Sequence, residues 1–423
     1  VSAGIHHNGS IISQPTGNFL ASILPAQTLE MPLWWGYSCA LGLFFFALPV
    51  SRYMHIPVEV VMIFLRNYGI KVQKRIDGFS RIQIYSCSRC GICLDSCQMT
   101  HAAIKDTQSV YMLKHLRNRN ATDEKLFNCL LCGRCQTDCP VGLELNSLRI
   151  TQRIESTKVY NSSYEYLRNG KVAVSPHTEV IYFAGCMTHL TPAIIKSMKG
   201  LFEEAGINYW FMDEEKTACC GRPLMQVGQY EAAQKLIDNN RERILASGAK
   251  KLVVSCPICY KVFREDYAIP GITVQHHSEY LLELMADKRL PINKMPMRVV
   301  YHDPCELGRG SGIYHQPRLL LDEYADVISM TNEKESALCC GGSLANTKIQ
   351  MAERNQIREK AMDEYVSYKP DVLATACPLC KKTFAKSRQL PVHDISEIVY
   401  MAIKETKSAS LKQEQQLSNA INP

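Results

Sequence analysis

Apolar residues are distributed along this chain in two distinct ways. Near the start they form one block: residues 31–51 run twenty-one positions without a charge and include Leu33-Trp34-Trp35-Gly36-Tyr37 and the Leu43–Leu48 run. The block predicts an apolar helix with Pro32 and Pro49 fixing its ends. Its length just suffices to span a bilayer, with the Trp-Trp-Tyr cluster and Arg52-Tyr53 suited to the two interfaces. A helix lying in the membrane plane or docked on a partner subunit is a second reading, and a buried soluble helix a third. Arg52, Arg66, Lys71, Lys74 and Arg75 all follow the block, so a spanning helix would leave the remaining chain inside the cell. Without a basic leading region or a small-residue cleavage site, a signal peptide is not expected.

From residue 179 onward the apolar residues instead form short runs of strand length, separated by segments of helical period. Strands are predicted at 179–185, 208–212, 251–255 and 271–275, and helices at 192–205, 224–246 and 278–286. The order then restarts, with strands at 297–301, 326–330 and 371–376, a helix at 345–368 and a closing segment at 395–403. Alternating strand and helix implies parallel sheets with helices on both faces, whose strand ends meet at a crevice. Between the two regimes the chain is more polar, with an amphipathic stretch at 109–119 and a linker at 151–178. The polar tail from residue 408 is expected to be disordered. The fold class is therefore α/β: an apolar N-terminal helix in an extension (1–80), a helical cysteine-bearing domain (81–150), two duplicated Rossmann-like modules (179–290 and 291–405) and a tail (406–423).

Composition adds one decisive feature. The 423 residues carry 46% hydrophobic and 21% charged side chains, which describes a globular chain of two or three domains. The formal charge of +7 counts no thiolate, and no basic run is interleaved with aromatics, so nucleic acid is not an expected partner. The nineteen cysteines are what stands out. Sixteen of them sit in tight C-x2-C, C-x3-C or C-C-G groupings, which suits metal ligation in a reducing compartment rather than a disulfide framework. Cys39, inside the apolar block, reads as a small buried hydrophobe.

Cys87, Cys90, Cys93 and Cys97 are spaced C-x2-C-x2-C-x3-C, and Cys129, Cys132, Cys135 and Cys139 repeat that spacing. This is the bacterial two-cluster ferredoxin pattern, in which the fourth cysteine of each run serves the other cluster. Cys87, Cys90, Cys93 and Cys139 then take one [4Fe-4S] cube, and Cys129, Cys132, Cys135 and Cys97 the other. Pro140 follows the second run, whereas Gln98 stands at that place in the first. Zinc is the ordinary reading of a single C-x2-C pair, but two complete four-cysteine runs set it aside.

The later cysteines form a second duplication. Cys186, Cys219-Cys220-Gly221 and Cys256-Pro257-Ile258-Cys259 are matched by Cys305, Cys339-Cys340-Gly341 and Cys377-Pro378-Leu379-Cys380, offset by 119 to 121 residues. Five thiols are one too many for an ordinary cube. Adjacent cysteines diverge too much to chelate one tetrahedral ion but can bridge two irons, and the glycine after each pair permits a tight turn.

With these residues in place, the chain resembles the catalytic subunit of heterodisulfide reductase, in the membrane-associated form that carries its own two-cluster ferredoxin domain, and related respiratory subunits. Tyr301-His302-Asp303-Pro304-Cys305-Glu306-Leu307-Gly308-Arg309 is close to the signature of that family's second module. The resemblance covers residues 80–405. It implies a noncubane four-iron cluster on each complete five-cysteine module, two at most, with a disulfide bound between them. Each half of the cleaved disulfide would be held as a thiolate on iron. It further implies other electron-transfer subunits and a small-molecule or protein disulfide as substrate. The apolar block at 31–51 motivates a partner such as a cytochrome b or quinone-reactive membrane protein, and the thiols and following basic residues a place at the cytoplasmic face of the cell membrane. The apolar extension before residue 80 departs from the soluble catalytic subunit. Similar modules also occur in iron–sulfur subunits that pass electrons from a flavoprotein to quinone, so a purely electron-relaying role is the competing expectation.

Some candidates stand beside the thiols. His302, three residues before Cys305, suits a proton donor to the leaving thiolate or a hydrogen-bonded structural role; His189, His276, His277 and His393 also lie near motifs. Arg222, Arg309 and Lys381 suit either an anionic substrate or the balancing of cluster charge. No G-x-G-x-x-G follows a predicted strand, so flavin and nicotinamide are expected on another subunit.

Overall fold

The run Val180-Ile181-Tyr182-Phe183 is buried along its whole length and forms strand β1 (Val180–Phe183). Continuous burial of this kind belongs to a strand covered on both faces, as parallel sheets are. In this computed structural model, which describes residues 11, 13–23, 25–48, 51–73, 75–156, 178–215, 218–344 and 348–421, β1 pairs in parallel with β2 (Tyr209–Phe211) and β3 (Lys251–Val254). β4 (Thr273–His276) completes a four-stranded sheet of order β2-β1-β3-β4. The second module repeats this with β5 (Arg298–His302), β6 (Asp326–Ile328), β7 (Val372–Thr375) and β8 (Val392–Asp394), in the order β6-β5-β7-β8.

This order determines where chemistry can sit. The chain leaves β1 for β2 on one side and reaches β3 on the other, so the strand order reverses between β1 and β3. A crevice opens outside the carboxyl ends at such a switch point. Cys186 follows β1 and Cys256 follows β3; Cys305 follows β5 and Cys377 follows β7.

The helices that cover the sheets follow from local sequence. Pro192–Glu204 starts on a proline, whose missing N–H costs nothing at that position, and buries Ile194, Met198, Leu201 and Phe202. The single helix expected at 224–246 is two helices, Arg222–Gln226 and Tyr230–Ser247, because Gly228 takes φ +89° between them. Its counterpart runs from Met351 to Ser367; residues 345–347 of the expected helix lie outside the described residues. The tail expected to be disordered continues the closing helix, Ile395–Ile421. Its Ala, Leu, Gln, Glu and Lys residues are good helix formers, a preference that overrides their polarity. The modules are joined by a buried hydrogen bond from His277 Nε2 to Asp394 Oδ1, 3.0 Å long, at the start of one module's helix and the end of the other's last strand.

Contacts divide the chain into two units, Val1–Ile70 with Ser86–Cys90, and Lys71–Tyr85 with Gly91–Pro423. In the second unit the ferredoxin-like region is built of short helices, ending in Leu145–Ser156. This helix crosses the expected start of the linker at 151 and buries Arg149 and Arg153; residues 157–177 of that linker lie outside the described residues.

In the first unit the apolar block lies in the helix Ala26–Ala47, with Pro32 inside it rather than at its end. Pro49 lies outside the described residues. No helix among the described residues is long and apolar enough to cross a membrane. Trp34, Trp35, Leu43, Phe45 and Phe46 on this helix are exposed. Cys39, expected to be buried, is exposed as well.

Candidate metal centres

The C-P-x-C motifs are helix starts. Cys256 is the N-cap of Pro257–Glu265 and Cys259 its third residue; Cys377 and Cys380 hold the same places on Pro378–Phe384. Proline at the first helical position fixes the turn, and the helix amides and dipole favour thiolates there. The paired cysteines come in from the other side. Gly221 and Gly341 after each pair have φ of +91° and +79°. Their need for glycine is set by the backbone and by a neighbouring helix: a Cβ on Gly341 would stand 3.0 Å from Arg354 O.

These elements bring all five thiols of each module together. In the first, sulfur contacts run Cys186–Cys219–Cys220–Cys259–Cys256. In the second they run Cys305–Cys339–Cys340–Cys380–Cys377. The first cysteine of each pair reaches the loop cysteine and the second reaches the helix-start cysteine, which is the bridging geometry expected of adjacent thiols. Burial pushes the Cys377 thiol up despite its hydrogen bond with Cys380, and Cys256 of the other set adds to that push. None of the nineteen cysteines is in a disulfide. Two glycines that the motif reading did not single out shape the sulfur pockets: a Cβ on Gly185 would meet Cys259 Sγ at 3.0 Å, and one on Gly342 would meet Cys340 Sγ at 3.3 Å.

In the ferredoxin-like region, Cys97, Cys129, Cys132 and Cys135 are close enough to repel one another as thiolates, and Cys135 Sγ lies 3.1 Å from Ser109 Oγ. Of the other expected four, Cys87 and Cys90 lie in the first unit, and Cys93 and Cys139 in the second. The sulfur of Cys132 touches that of Cys339, so the second expected cube abuts the second module. Gln98 holds this junction. Its side-chain amide donates to Cys339 O at 3.2 Å and accepts from Cys339 N at 2.5 Å. A proline, as in the other ferredoxin run, could make neither bond. Arg309 ties the same junction by donating to the carbonyls of Cys132, Glu335 and Ala337.

The electrostatics fit a bound cationic core. Hydrogen bonds from Cys219 and Cys259 bring Cys220 down to about 6, and a bond from Cys339 brings Cys132 to about 6. Cys340 is likewise held low by Cys339 and Cys380. The neighbours move the other way: burial lifts Cys97 to about 12, and Cys259 is driven well above the ordinary thiol value by Cys220 and Cys256. Each set thus carries a thiolate shared among protonated neighbours, and ionising all of them together requires positive charge among the sulfurs. The protein supplies some nearby. Arg149 donates to the carbonyls of Thr107, Lys125 and Leu126, and Arg153 to those of Leu126, Phe127 and Gln226. Burial lowers Arg153 to about 10 while Cys129 acts to retain its charge.

The remaining candidates sort clearly. His302 is buried beside Cys340 and Cys380, with Nδ1 2.8 Å from Tyr365 Oη. Burial lowers it to about 4, against the charged form. His189 binds Asp213 at 3.2 Å, His276 caps a helix, His277 binds Asp394, and His393 lies 3.8 Å from Glu397. Lys381 pairs with Glu397 and Arg222 with Glu306, so neither is a spare cation for substrate. A polar cleft of about 140 Å³ lies where the three cysteine-bearing regions meet, lined by Cys132, Arg222, Lys261, Cys305, Glu306 and Arg309. Although burial opposes it, Arg222 and Lys261 hold Glu306 below the usual carboxylate range.

Comparison with known proteins accounts for this arrangement. Residues 83–143 match the 4Fe-4S dicluster domain, and residues 180–264 and 299–385 match the CCG cysteine-rich domain. One relative is a component of the dihydromethanophenazine:CoB–CoM heterodisulfide reductase of Methanosarcina barkeri. It is 26% identical over 403 residues, covering 78% of this chain and 96% of that protein. The chain is a heterodisulfide reductase-like iron–sulfur subunit. A component of the fumarate reductase (CoM/CoB) of Methanothermobacter marburgensis is 24% identical over 381 residues, 79% of this chain and 76% of that one. EtfAB:quinone oxidoreductase of Syntrophomonas wolfei is 26% identical over 247 residues, 53% of this chain and 34% of that one. This heterodisulfide reductase-like chain is thus an iron–sulfur electron-transfer subunit, and its relatives belong to multi-subunit reductases.

Gln98→Leu should leave the buried Cys339 amide and carbonyl unpaired and lower stability by about 1–3 kcal/mol. Denaturant unfolding reads that loss. Stopped-flow reduction should also show the second module filling more slowly, and unchanged stability and rate would refute the clamp.

Proposed function

We propose that this chain reduces, or in the reverse direction forms, a disulfide-type substrate between its two CCG modules. The supporting observation is that both modules keep a complete, contiguous five-thiol set, and that Cys256 of one set acts electrostatically on Cys377 of the other. The reaction is RSSR′ + 2e⁻ + 2H⁺ → RSH + R′SH, which needs two electrons where iron–sulfur centres move one at a time. A four-iron cluster on each module supplies, when bound, one electron and a site for one product thiolate. The chain's own residues do the rest. The Cys132–Cys339 contact joins the ferredoxin domain to the second module, and Gln98 and Arg309 fix that contact. The cleft beside Cys305 gives small molecules a polar approach, while the Arg222–Glu306–Lys261 cluster holds its walls together.

The electron source is a second part of the proposal. The exposed apolar side chains of Ala26–Ala47 suit docking on a membrane partner such as a cytochrome b or quinone-reactive protein, at the cytoplasmic face, where thiols stay reduced. The purely relaying alternative draws on the likeness to EtfAB:quinone oxidoreductase.

Adding disulfides to anaerobically reduced protein tests the reading by electron paramagnetic resonance. Release of two thiols per disulfide, with a new thiol-dependent signal from the modules, is expected. Full cluster content without response to any disulfide in a chemically varied panel favours the relay. Deleting residues 1–55 should move the protein from the membrane to the soluble fraction, and continued membrane retention would remove the docking claim.

A further inference from the structure

The two modules differ at a pair of core positions facing their sulfurs. Phe183 stands three residues before Cys186, and His302 three before Cys305. Ile244 stands twelve residues before Cys256, and Tyr365 twelve before Cys377. The packing confirms the equivalence. Phe183 meets Phe263 edge-on at 4.9 Å, and His302 meets Phe384, at the matching position, edge-on at 4.8 Å. Where the first module buries an apolar Phe–Ile pair, the second buries an imidazole and a phenol hydrogen-bonded at 2.8 Å.

A buried polar pair replacing an apolar one is costly unless its groups are used. A phenol is the stronger donor and an imidazole nitrogen the stronger acceptor, so Tyr365 Oη–H donates to Nδ1 and the hydrogen of His302 resides on Nε2. Among the described residues, Nε2 has no hydrogen-bond partner. An imidazole nitrogen of His302 and the sulfurs of Cys340 and Cys380 lie within 4.8 Å of one another; with Nδ1 engaged, Nε2 is the nitrogen left to serve them.

We infer that His302 donates Nε2–H to the cluster-bearing sulfurs of the second module, making the two module centres unequal and the second the easier to reduce. This rests on the reading that both modules hold clusters. Hydrogen bonds to the sulfurs stabilise the negative charge added on reduction and so raise the potential. At the equivalent place the first module has Phe183 and Ile244, and its own polar pair, Asn240 and Tyr267, donates to the carbonyls of Cys219 and Cys220 rather than to their sulfurs. The easier-to-reduce module is also the one that touches Cys132, so electrons from the ferredoxin domain arrive at the centre prepared to accept them.

The test is an anaerobic redox titration of the intact chain followed by electron paramagnetic resonance. Wild-type protein should show two separate module steps. The double substitution His302→Phe/Tyr365→Ile, which rebuilds the first module's apolar pair, should move the higher step down towards the lower. His302→Gln, which keeps an N–H donor of different reach, should retain part of the separation. With ¹⁵N-histidine labelling, pulsed measurements should show one imidazole coupling in wild type that the double variant loses. Unmoved steps with full iron content in the double variant would overturn the inference. A wild-type count of about 8 irons per chain would instead overturn the reading beneath it, because only the two ferredoxin cubes would be loaded.

Discussion

Five thiols in mutual contact, four of them buried, cannot all ionise unless positive charge sits among them, and the rest of this molecule is arranged around that constraint. In each module one thiolate is stabilised by its neighbours' S–H groups while burial and repulsion keep the neighbours protonated. The parallel sheets place the sulfurs at strand ends beside a switch point, where helix starts meet them. Glycines at 185 and 342 leave room against the sulfurs. Arginines 149 and 153 bond to carbonyls and so keep their charge for the ferredoxin thiolates.

The same constraint gives the molecule a direction. The ferredoxin-like region meets the second module sulfur to sulfur at Cys132 and Cys339, and three of the polar links that hold this junction come from Gln98 and Arg309. Duplicated modules therefore need not be equivalent ones. The second both touches the ferredoxin-like region and holds a buried imidazole, whereas the first has Phe183 at that position.

Much of this was legible in the sequence because the chemistry is carried by spacing. The offset of 119 to 121 residues between matching cysteines predicted two modules, and both sheets have the same strand order. Short apolar runs marked strands β1 to β7, but not β8, whose three residues Val392-His393-Asp394 include two polar side chains. What escaped the sequence depends on contacts between distant residues. Gln98 was visible only as a missing proline, although its partner lies 241 residues away. Arg149 and Arg153 looked like ordinary polar helix residues until their burial showed otherwise. Gly228 was a legible break in the long helix that periodicity masked, and the tail's helical propensity was outweighed by its polarity. His302 was singled out for its nearness to Cys305, whereas its hydrogen bond to Tyr365, 63 residues away, could not be read from spacing.

Iron and acid-labile sulfide per chain, measured on anaerobically purified intact protein, tests the central claim most directly. Eight ferredoxin thiols and two five-thiol modules predict four four-iron clusters, or about 16 irons with matching sulfide. About 8 irons in fully folded protein would mean that the module thiols hold no clusters, and would contradict the account.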